Sequence, residues 1–165
     1  MGKRCCFILE RSFLWPLRQE DFDERLLALL YHLTFSEGVS DYYFLYDEEA
    51  EFSANRILGG IRVYAPELRR ILLYPEGAEN YISYRYMGEN RFEERKGVDP
   101  GAFMGREGLC RVLIDECDVA LFCLTEIGDT MERRLLFYAE EKGKRTVDLA
   151  EAQHLSKWFQ GGAFR

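Results

Sequence analysis

Two hydrophobic patterns alternate along this chain: short unbroken apolar runs, and longer stretches with apolar residues three and four apart. The clearest pairing lies between Cys117 and Leu149. Val119 to Leu124 is a continuous apolar run of strand length, the pattern of a parallel strand buried on both faces. Thr125 to Asp129 is polar and holds Gly128, which predicts a turn. From Thr130 the spacing becomes helical, with Leu135, Leu136 and Ala139 set among charged residues. Gly143 follows with Lys142 and Lys144 beside it, a C-terminal glycine with basic charge that suits the negative end of a helix. Arg145 to Leu149 reads as the next strand. Such a β-α-β unit has parallel strands and a right-handed crossover.

The same alternation extends to both sides. Arg4 to Leu9 is a strand candidate, and Glu10 to Arg18, with Pro16, a connection. Gln19 to Phe35 predicts a long helix whose apolar stripe is Phe22, Leu26, Leu29, Leu30 and Leu33. Glu20 and Asp21 suit its positive end, and Gly38 closes it. Asp41 to Tyr46 is a strand, Asp47 to Glu51 an acidic turn, and Phe52 to Tyr64 a helix weakened by Gly59 and Gly60. Arg70 to Tyr74 is a third strand, ended by Pro75. Tyr81 to Met87 alternates like an edge strand, and the charged, glycine-containing Gly88 to Gly101 reads as a surface loop. Phe103 to Glu116 predicts a helix with Leu109, Val112 and Leu113 inward. Residues 1–149 thus form one α/β domain, a three-layer Rossmann-like open sheet, mainly parallel, with helices on both faces. Ala150 to Arg165 is a tail that predicts one more short helix, carrying Leu155, Trp158 and Phe159, with Phe164 beyond them.

Composition narrows the function. A net charge of −7 argues against nucleic-acid or membrane-surface binding driven by basic charge. The apolar segment after Met1 is interrupted by Glu10 and Arg11, with no small-residue cleavage site, so it does not read as a signal peptide. No apolar run approaches the roughly 20 residues that span a bilayer. Five cysteines with no CxxC pair predict reduced thiols in a cytoplasmic protein. His32 and His154 stand in no metal-ligand spacing with cysteine, so neither a metal nor a cofactor is expected.

Several motifs resemble the SLOG superfamily, the Rossmann-like group that holds LOG-type nucleotide phosphoribohydrolases, DNA-processing protein A and small bacterial and phage proteins. Cys5-Cys6-Phe7-Ile8-Leu9-Glu10-Arg11 lies in the frame of its first strand, with the arginine matched and the glycine and histidine not. Pro66 to Pro75 is similar to its third strand. Arg111, Asp115 and Asp118 before the apolar Val119–Phe122 resemble its signature of an arginine, three residues, an aspartate, two residues and an aspartate. Tyr138-Ala139 and Gly143-Lys144 resemble its closing pattern. The family's glycine-rich turns are altered: Leu45 to Asn55 holds no glycine, and the Gly-Gly-Thr position falls in register on Thr130-Met131-Glu132.

The resemblance implies a nucleotide-derived ligand at the carboxyl ends of the strands, near Arg11, Asp47, Glu48, Asn55, Asp129 and Thr130. Phosphate cradles need glycine so that amides can close on the oxygens. Here the first turn has lost it, and the second keeps only Gly128 in a Gly128-Asp129-Thr130 triplet two residues too early. Both have gained carboxylates, Asp47, Glu48 and Glu49 in one and Asp129 and Glu132 in the other, which repel phosphate. These acids could serve acid–base chemistry or a cation; as acids at a helix start they are also stabilising without any ligand. Arg11 either grips an anion or pairs with Asp47 or Glu48. Cys117 and Cys123 read as buried packing residues, and Arg111 as a helix-surface arginine.

The leading expectation is a non-enzymatic or catalytically eroded domain, a sensor or regulator that binds a nucleotide-like small molecule or a protein partner. The aromatic tail offers a surface for that partner or for a homo-oligomer. The alternatives are a LOG-like N-glycosidic hydrolase using Glu132 and Asp129, and a structural assembly subunit.

Overall fold

A computed structural model describes residues 2–9, 19–45, 51–78, 92–99, 105–124 and 131–151. The elements, in chain order, are β1 (Lys3–Ile8), α1 (Gln19–Phe35), β2 (Val39–Leu45), α2 (Glu51–Ile61), β3 (Arg69–Pro75), β4 (Glu94–Val98), α3 (Gly105–Glu116), β5 (Val119–Phe122), α4 (Met131–Glu141) and β6 (Arg145–Asp148). The strands form one sheet in the order β4-β3-β2-β1-β5-β6, and every neighbouring pair is parallel. The expected Rossmann-like three-layer sandwich is the fold.

Alternation of side chains along each strand divides the core in two. Cys5, Phe7, Tyr42, Phe44, Leu72, Leu121 and Val147 face one way, against the buried stripe of α1 and against Ala54, Leu58 and Ile61 of α2. Cys6, Ile8, Tyr43, Leu45, Ile71, Leu73, Ala120 and Phe122 face the other, against Leu109, Leu113 and Ile114 of α3 and Leu135 and Ala139 of α4. The central strands are unbroken apolar runs because both their faces are covered. Phe7, with its ring 4.8 Å from Phe44 and 6.0 Å from Tyr42, anchors the first layer. Each such side chain contributes about 1.5–3 kcal/mol by leaving water.

The segment read as a loop, Gly88 to Gly101, contains β4. Its charges hid it: an edge strand has one neighbour and a solvated side, so Glu94, Arg95 and Lys96 can stay partly or fully exposed. Glu94 accepts from Arg69 at 2.8 Å, and Lys96 pairs with Glu116 at 3.4 Å. The helix expected to reach Tyr64 stops at Ile61, and the chain tightens through Val63 N–H to Gly60 O and Tyr64 N–H to Ile61 O. Gly38 and Gly143 both adopt positive φ (76° and 72°) just past α1 and α4, as the spacing predicts. The expected strand Tyr81–Met87 and the whole tail after Glu151 lie outside the described residues.

Candidate functional site

From β1 the chain steps outward through β2 and β3 to β4, then returns to lay β5 on the other side of β1. The strand order therefore reverses between β1 and β5, and ligands of open α/β sheets bind at the carboxyl ends of such a pair. Ile8 is paired with Phe122, so the two strands end together. Arg11, Asp47, Glu48, Asp129 and Thr130, the candidates in the turns that follow β1, β2 and β5, lie outside the described residues. Glu132 and Asn55 lie within them, in two different surroundings.

Glu132 is the second residue of α4 and is only 6% exposed. Among the described residues its Oε1 accepts no hydrogen bond. The guanidinium of Arg106, second residue of α3, stands 3.7 Å from that oxygen and donates to Met131 Sδ at 3.8 Å. An acid in the first turn of a helix is stabilised by the helix dipole without any ligand. A buried carboxylate oxygen with no donor is a different matter, because its lost hydration goes uncompensated. The pair thus places a carboxylate with spare accepting capacity, and a cation that neutralises it, at the carboxyl edge beside the β1–β5 crevice. Arg106 was not singled out by the sequence, where it is one charge among many.

Asn55, 2% exposed, belongs to a clamp beneath α2. Arg70 Nη1 donates to its Oδ1 at 2.7 Å and to its carbonyl at 3.2 Å, and Arg70 Nε donates to both oxygens of Glu93 at 2.9 and 3.0 Å. Arg62 adds a contact to Glu93 at 3.1 Å. A Cβ at Gly59 would lie 3.0 Å from Arg70 Nη1, so the glycine that weakens this helix makes room for the guanidinium. Asn55 Nδ2 has no hydrogen-bond partner among the described residues. Its oxygen is committed to the fold.

The residues of the expected signature bind elements together at the amino edge. Asp118 accepts from Arg4 N–H at 2.9 Å, donates its own N–H to Arg4 O at 2.8 Å, and accepts from Arg145 N–H at 3.1 Å. Asp115 accepts from the Tyr138 hydroxyl at 2.7 Å, tying α3 to α4. Arg111 is exposed, pairs with Glu107 at 3.4 Å and lies over the Tyr138 ring. Asp148, which sequence reasoning passed over, is buried and its Oδ1 accepts from Leu124 N–H and Ala150 N–H, both at 3.0 Å. Burial, and then the charge of Asp148, push the Cys123 thiol up to about 12. Burial raises Cys5 too, while a hydrogen bond with Cys117 and burial raise Cys6. All five cysteines are buried and unbridged, as packing residues are.

Among the described residues, no group of three or more His, Cys, Asp or Glu could hold a metal ion, and no helix is long and apolar enough to cross a membrane. No protein-family model matches the chain, and no curated protein matches it in sequence.

Proposed function

We propose that this chain is a binding domain for a nucleotide-derived small ligand, taken up at the carboxyl ends of β1 and β5 and used for sensing or regulation rather than turnover. The observation that carries the reading is Glu132, a buried carboxylate with an acceptor oxygen unfilled among the described residues, beside the point where strand order reverses. A carboxylate there suits the donors of a nucleoside, its ribose hydroxyls or an exocyclic amine, better than a phosphate oxygen. The resemblance to the SLOG superfamily and the loss of its in-register glycine motifs from both turns point the same way. The test is a thermal-shift screen of the full chain against nucleosides, nucleotides, nucleotide sugars and ADP-ribose. A ligand at 100 times its Kd adds about 2.7 kcal/mol of stability. We expect one of these ligands to raise the Tm and Glu132→Gln to abolish the rise. A flat screen would sink the proposal.

The Glu132–Arg106 pair also supports a second reading, hydrolysis of an N-glycosidic bond with Glu132 as the acid–base group. Release of free base from the ligand found in the screen, lost in Glu132→Gln, separates catalysis from binding.

A further inference from the structure

A cavity of about 290 Å³ opens at the opposite, amino edge of the sheet, where α1 and α2 both end. Its walls include Thr34, Phe35, Ser40, Tyr64, Glu67 and Leu68. The size is at the lower limit of small-molecule sites. Its rings face water: Phe35 is 48% exposed and Tyr64 74%. Both helices present their negative ends here, although Gly60 O and Ile61 O of α2 already accept from Val63 N–H and Tyr64 N–H. Glu67 adds a carboxylate that, among the described residues, makes no ion pair. Nearby cations are already engaged: Arg62 with Glu93 and the Leu68 carbonyl, and Arg69 with Asp41 and Glu94. The Thr34 hydroxyl is held by that of Tyr42 at 2.6 Å.

Exposed aromatic faces, two helix C-termini and an unmatched carboxylate all favour positive charge. We propose that this cavity binds a small organic cation, an ammonium or guanidinium on a short apolar body. The charged head sits toward Glu67 and the negative ends of the two helices, and the body lies against Phe35 and Tyr64. This site is independent of the one at the carboxyl edge, so either can fail without the other.

The experiment is calorimetric titration of the full chain with phenethylammonium, and with phenethyl alcohol as its neutral counterpart. Saturable binding of the ammonium is expected, weakening with added salt, with the alcohol at least about tenfold weaker. Tyr64→Ala is expected to weaken it about two- to tenfold. Glu67→Gln should weaken it about two- to fivefold. Both side chains are exposed, so these variants fold as the parent does. Equal binding of ammonium and alcohol would overturn the proposal, as would the absence of saturable binding or full retention of affinity in both variants.

Discussion

Two polar clusters are buried beneath helices of this sheet, and they are built differently. Under α2, Arg70 is 13% exposed at its side chain and Glu93 16%, and their contacts are close, bidentate and shared with Asn55 and Arg62. At the first turns of α3 and α4, Arg106 and Glu132 stand 3.7 Å apart, and the carboxylate oxygen accepts no hydrogen bond among the described residues. Burial alone therefore does not distinguish structure from function. Saturation does. A charge whose donors and acceptors are filled holds elements together, whereas one buried with capacity to spare incurs a desolvation cost that a ligand could offset.

The largest effect expected from this contrast is on the clamp. Arg70→Ala leaves Glu93 with Arg62 alone and removes the donor to Asn55, so unfolding stability should fall by about 2–4 kcal/mol. The urea midpoint measures it, and a loss below about 1 kcal/mol would show the clamp to be ornamental. A finer cut uses the two glycines beside it. Alanine is normally the better helix former by about 1 kcal/mol, and the space beside Gly60 is open, so Gly60→Ala near the helix end should stabilise by about 0.5 kcal/mol. Gly59→Ala meets Arg70 at 3.0 Å and should forfeit that gain or destabilise by about 1 kcal/mol. Equal gains at both positions would mean that Arg70 is free to move.

Glu132→Gln sharpens the other side of the comparison. Losing the helix-dipole and ion-pair terms is set against relief of carboxylate desolvation, so stability should change by less than about 1 kcal/mol in either direction. The effect belongs instead to the ligand-induced rise in Tm, which should vanish. A loss of several kcal/mol in the free protein would make Glu132 a structural residue like Arg70.

The layers of this fold were legible because burial on both faces leaves continuous apolar runs, and α1 has the bounds that its stripe from Phe22 to Leu33 predicts. The strand β4 was not legible, since an edge position relaxes the demand for apolar residues and leaves Glu-Arg-Lys looking like a loop. At the site, Glu132 stood out in sequence as an acid at a helix start, but Arg106 did not. Its partner lies 26 positions away, on an adjacent helix, and only the packing of α3 against α4 joins them. Asn55 was read as facing a ligand, yet its oxygen is turned to Arg70, a strand residue whose buried charge is visible only once α2 covers it. Local pattern reports which face is apolar; it does not report which charges meet across it.

The smallest effect calibrates what a partly exposed, saturated carboxylate contributes. Glu37, just past α1, accepts from Arg145 at 2.9 Å and stands 3.7 Å from Lys3 and 3.3 Å from His32. Partial burial pushes its carboxyl up, but the Arg145 hydrogen bond and the charges of Arg145, Lys3 and His32 outweigh that and hold it below its usual value. A folded value below the unfolded one means that the stabilisation is complete above the ordinary glutamate value of about 4.3 and is lost as pH falls through the lower folded value. Arg145→Gln should therefore lower the urea midpoint at pH 7 by the equivalent of less than about 1 kcal/mol, and by progressively less as the acid is titrated. If the difference between parent and variant is the same at pH 7 and pH 3, Arg145 acts by packing, and the exposed pair contributes nothing against which the buried clusters can be scaled.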